Sequence, residues 1–179
     1  MRKISLIVVA VLSLAMALTV QSASKPTGAL KVPANLLLEL KIDNKPLSIP
    51  SGKEITFPAG VYTPGTLTAQ AAAPGKVKPE IWSIKSTGPF GNISSIEVKE
   101  GCTSAIDAGP PFTLKPIVYT STSTPTGKLI PIGLQILGKA GESYAANTLR
   151  RGQSSVPPPQ FRIVDEAGKV LAQGNFEFG

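Results

Sequence analysis

The stretch Phe161-Arg-Ile-Val-Asp-Glu-Ala-Gly-Lys-Val-Leu-Ala-Gln-Gly-Asn-Phe-Glu-Phe178 specifies two strands and the turn between them. Phe161 and Ile163 alternate with Gln160 and Arg162, and Val170, Ala172, Gly174, Phe176 and Phe178 alternate with Lys169, Gln173, Asn175 and Glu177. This is the period-2 pattern of strands with one face buried. Between them, Asp165-Glu166-Ala167-Gly168 offers a side-chain acceptor at the first turn position and glycine at the last, which suits a type I turn closed by a left-handed glycine bulge. An isolated hairpin is marginal in water. The reading therefore makes this hairpin the element around which the rest of the chain is organised, with the other strands covering its phenylalanines.

Upstream, the same wording recurs as short alternating runs closed by Pro, Gly or Asn. Leu36, Leu38, Leu40 and Ile42 form one face of a strand that stops at Asp43-Asn44 and returns through Leu47 and Ile49. Further runs are expected at 53–57, 61–62 followed by 66–72, 81–85, 93–99, 112–119 and 129–138, with a polar hairpin loop at 120–127. In these runs Ile55, Phe57, Trp82, Ile84, Ile96 and Val98 face inward, as do Ile130, Ile132, Leu134 and Ile136. Pro116 and Pro131 cannot donate to a ladder and mark edges or bulges. Residues 140–152 fit either a helical face, through Tyr144, Thr148 and Arg151, or a strand, through Tyr144, Ala146 and Thr148. The 17 glycines and 17 prolines fall almost wholly between the runs. The expected fold is all-β, an antiparallel β-sandwich of immunoglobulin-like or transthyretin-like architecture with about 8–11 short strands.

The amino terminus reads as an address. Arg2 and Lys3 precede an apolar run over residues 4–20, and small residues follow at Ser22, Ala23 and Ser24. These are the parts of a cleaved secretory signal peptide, here residues 1–24. Residues 25–33 are expected to be a flexible lead-in, and 34–179 a single domain. Removing Arg2 and Lys3 from the 18 basic residues, against 11 acidic ones, leaves a moderately basic mature charge of +5. The expected location is secreted or periplasmic, without stable membrane insertion. The single cysteine, Cys102, makes no internal disulfide and is read as a small half-buried residue, so core packing has to hold the fold.

The chemistry is mostly subtraction. The chain has no histidine, which removes the commonest general base, the triads built on it and the commonest zinc ligand. Asp43, Glu54, Glu80, Asp107 and Glu142 are single carboxylates in or beside expected turns, read as solvated. Asn92-Ile93-Ser94 matches the glycosylation acceptor pattern. The lysines are scattered, which argues for solubility rather than nucleic-acid binding. No cofactor or metal site is expected. The candidate contact for an anion or partner is Arg150, Arg151 and Arg162 with Tyr144, because guanidinium forks suit carboxylate, sulfate or phosphate. Trp82 raises a sugar-stacking alternative, set against core packing beside Ile84.

The expected function is thus a non-catalytic extracytoplasmic module that acts by contact with a protein or cell-envelope component. A binding module for an anionic polysaccharide and a hydrolase with a histidine-free site are the alternatives. The closing strand, residues 169–178, is a candidate edge for pairing with a second copy or for accepting a partner's strand. The rival expectation packs that edge against the amino-terminal lead-in.

Overall fold

The structure is a computed structural model of the chain and describes residues 25–43, 45–72, 79–125 and 127–177. The leader over residues 1–24, the turn residue Asn44 and the end of the closing strand at Phe178 lie outside the described residues. Those described are almost all β, with no α-helix and one 3₁₀ turn, Gly91–Ile93. The strands are Thr27–Lys31 (β1), Leu36–Ile42 (β2), Lys45–Ile49 (β3), Glu54–Pro58 (β4), Gly60–Ala72 (β5), Ile81–Ser86 (β6), Ile96–Val98 (β7) and Thr103–Ala105 (β8). They continue with Thr113–Val118 (β9), Thr122–Thr124 (β10), Gly127–Leu129 (β11), Ile132–Leu137 (β12), Ser143–Arg151 (β13), Ser154–Ser155 (β14), Gln160–Val164 (β15) and Val170–Asn175 (β16). The count exceeds the expected 8–11 because several ladders are only two or three residues long.

One large sheet runs in the order β3-β2-β5-β6-β13-β12-β9, with β14 added beside β13 and β7 beside the start of β5. A three-stranded sheet, β4-β1-β8, is antiparallel between β1 and β4 and parallel between β1 and β8. Residues from both sheets meet in one core. Leu30 and Phe57 come from the small sheet, while Leu36, Leu38, Leu40, Leu67, Ile84 and Ile136 come from the large one. The alternation read from Leu36, Leu38 and Leu40 is borne out, with all three fully buried and each stabilising by about 1.5–3 kcal/mol. Ile96 and Val98 face inward as expected.

The lead-in is a correction. Residues 27–31 are the central strand of the small sheet, with Leu30 buried and Val32 buried just beyond it. Its polar, Gly-bearing wording hides a close approach: at Gly28 a Cβ would lie 2.9 Å from Val98 Cγ1 and closer still to the Lys99 carbonyl, so only glycine fits. The rival arrangement for the carboxy-terminal edge is excluded with it, since β1 already has a neighbour on each side.

The ambiguous stretch 140–152 resolves as strand β13. Tyr144 lies opposite Ile136, and the register slips between Ala145 and Arg150, which explains why neither period fitted the whole stretch. Pro116 sits on β9, the outer strand of the large sheet, as a proline in a ladder requires. The stretch read as a polar loop at 120–127 instead contains strand β10, which pairs with β11 in a small hairpin.

The terminal hairpin forms as read. Gly168 has φ +81°, Asp165 Oδ1 accepts from the backbone N–H groups of Ala167 (3.0 Å) and Lys169 (2.8 Å), and the register shifts between Ile163 and Val164. It is not the centre of the fold, however. Phe161 and Phe176 are only half-buried, pack ring to ring at 5.3 Å, and stand with Ile132, Leu134 and Ala146 around one surface hollow. The core draws its residues from two sheets, and this hairpin belongs to neither.

Candidate functional site

The four residues expected to form a cationic patch are placed apart. Tyr144 is 3% exposed, with its ring edge-on to Phe112 at 4.9 Å. Burial pushes its phenol well above the usual tyrosine range, and the Glu142 carboxylate and the hydrogen bond to it add to the effect. Arg150 and Arg151 are consecutive on a strand and therefore point to opposite faces. Arg150 lies opposite Ser83 and donates from Nη1 to the carbonyls of Asn147 (2.9 Å) and Leu149 (3.0 Å). Arg151 lies opposite Trp82. Arg162 is exposed on the separate hairpin, opposite Gln173.

Trp82 is half-buried and lies outside the buried core, which corrects the reading that put it fully inside with Ile84. Its environment is built by the β6-β13-β14 corner. The guanidinium carbon of Arg151 stands 5.8 Å from the indole ring centroid, and Arg151 Nε donates to Glu80 Oε2 at 2.6 Å. The turn after β13 uses Gly152 at φ +59° to bring β14 back alongside, which sets Ser154 opposite Arg151 at a hollow of about 380 Å³. On another side, Trp82 borders a smaller apolar hollow of about 230 Å³ shared with Ile84, Phe112 and Leu149. The pairing of Trp82 with Arg151 depends on the register after the β13 bulge, which sequence alone does not state.

Glu142 is a second correction, since it is fully buried rather than solvated. Its Oε1 accepts from the Gly109 backbone N–H at 2.5 Å and from the Tyr144 hydroxyl at 3.1 Å, and its Oε2 accepts from the Ala140 N–H at 2.9 Å. A Cβ on Gly138 would collide with this carboxylate, so glycine there makes room for it. The arrangement ties residues 138–142 to the segment before Phe112. The sequence signal was faint: a glutamate between glycine and alternating Tyr144 and Ala146.

The remaining carboxylates do not converge. Glu54 accepts from Thr103 (3.4 Å), Asp107 pairs with Lys139 (3.4 Å) and Glu97 with Lys99 (3.6 Å), all at exposed positions. Among the described residues no three metal-ligating side chains come together. Cys102 is exposed rather than half-buried, and no described helix is long and apolar enough to cross a membrane.

The other conspicuous surface is the end of the large sheet. Opposite residues Leu114 and Ile136, Pro116 and Leu134, and Val118 and Ile132 share a face. Along it burial falls from Ile136, which is in the core, to Leu114 and Val118, which are 64% and 67% exposed. The face that is buried at Ile136 is thus open at Leu114 and Val118, and the outer side of β9 has no strand beside it among the described residues. Comparison with known protein families, with curated proteins and with solved structures returns no match.

Proposed function

We propose that the protein is a secreted or periplasmic, non-catalytic β-module, of immunoglobulin-like or transthyretin-like sandwich type, that works by binding another protein or a cell-envelope component through an open sheet edge. The observation that carries this reading is β9. Its outer N–H and C=O groups face no described strand, and its inner-face residues Leu114 and Val118 are mostly exposed. Contiguous exposed apolar surface beside an unpaired edge is a template for strand addition. The leader-like wording of residues 1–24 supports the location.

A second edge favours pairing with another copy of the chain. The strand β16 pairs only with β15 among the described residues and exposes Leu171 at 62%. The two edges separate by mutation. The exported chain, identified by an amino terminus near residues 23–25, is compared with the double variant Leu114→Lys/Val118→Lys and with Asn175→Pro, each first checked for folding by circular dichroism. Loss of self-association by light scattering, or of cross-linked envelope partners, in the lysine variant alone supports β9. Loss in the proline variant alone supports β16. If neither folded variant changes mass or partner capture, edge pairing is wrong.

A further inference from the structure

The corner around Trp82 carries a different activity, on elements that the edge reading does not use. Exposed ion pairs are worth roughly 0–1 kcal/mol, so stability alone gives little reason for Glu80, Arg151 and Trp82 to be stacked at the rim of a hollow. The hollow of about 380 Å³ lies within the size range of small-ligand sites. Its walls combine an aromatic ring, a guanidinium, a carboxylate and Ser154, which lies opposite Arg151. Arg151 engages Glu80 through Nε, and a guanidinium has further N–H donors on its terminal nitrogens.

Local charge decides the ligand class. Among the described residues, Arg151 is offset by Glu80 at 2.6 Å, Arg150 points to the opposite face and Arg162 belongs to another hairpin. An acidic sugar would therefore meet an already balanced site. A neutral pyranose matches each wall: its C–H face lies against indole, and its hydroxyls donate to the carboxylate and accept from the guanidinium and Ser154. We propose that Trp82, Arg151, Glu80 and Ser154 form a carbohydrate-binding subsite for a neutral pyranose residue.

The test uses the full mature chain and its own reporter, because Trp82 is the one tryptophan in the sequence. Its fluorescence is followed while cellohexaose, chitohexaose or maltohexaose is added to millimolar concentration, with polygalacturonate as the anionic comparison. The expected result is a saturable change with at least one neutral oligosaccharide, weakened about tenfold or more by R151M and by E80Q. Both variants alter exposed side chains, and circular dichroism confirms that they fold. Three results overturn the proposal: no response to any neutral oligosaccharide, binding that R151M and E80Q leave unchanged, or tighter binding of polygalacturonate. None of them bears on the β9 edge, which is tested by mass and partner capture.

Discussion

The Tyr144 hydroxyl donates a 3.1 Å hydrogen bond to the carboxylate of Glu142, a fully buried acid that forms no ion pair among the described residues. Three neutral donors hold it: this hydroxyl and the backbone N–H groups of Gly109 and Ala140. Buried polar groups persist when they are satisfied in this way, and removing the acceptor leaves several donors unpaired at once.

Glu142→Ala is accordingly expected to destabilise by about 3–5 kcal/mol, and Glu142→Gln by about 1–3 kcal/mol, because the amide keeps one acceptor but turns a donor toward existing donors. Urea unfolding at neutral pH measures both. An alanine variant within about 0.5 kcal/mol of wild type shows that the carboxylate does not hold these segments together.

Alkaline pH tests the same pair through the other partner. The folded phenol of Tyr144 stays protonated above its ordinary value of 10.0, whereas the unfolded phenol releases its proton there. The unfolded state then binds fewer protons, so this contribution is complete below pH 10 and is lost as pH rises toward the folded value. Relative to Tyr144→Phe, wild type should lose about 1.4 kcal/mol per pH unit above about pH 10. Lysine titrations are common to both proteins and cancel. Parallel stability curves for the two would show that Tyr144 titrates normally and is not buried.

The placement of the terminal hairpin predicts unequal costs for truncating apolar side chains. Leu38→Ala, in the shared core, should destabilise by about 2–5 kcal/mol. Phe176→Ala, half-buried against Phe161, should cost about 1–2 kcal/mol despite the larger side chain. Thermal and denaturant unfolding of the two variants give the comparison. A phenylalanine variant as damaging as the leucine one would return the hairpin to the core.

The sequence by itself determined the local elements. Alternation at Leu36, Leu38 and Leu40, the Asp165 to Gly168 turn and Pro116 on an edge each depend on interactions within a few residues, which the chain states directly. Tertiary structure decided which strands lie next to which, and therefore what is buried. Period 2 assigns a side chain to a face but does not say whether another layer covers that face. Tyr144 and Leu114 both lie opposite Ile136, yet Tyr144 is closed in by Phe112 and Glu142 while Leu114 is left open. The same ignorance of long-range register hid the approach of Arg151 to Trp82, which the β13 bulge sets, and the role of residues 27–31, whose few apolar side chains become central because a neighbouring strand lies on each side of them.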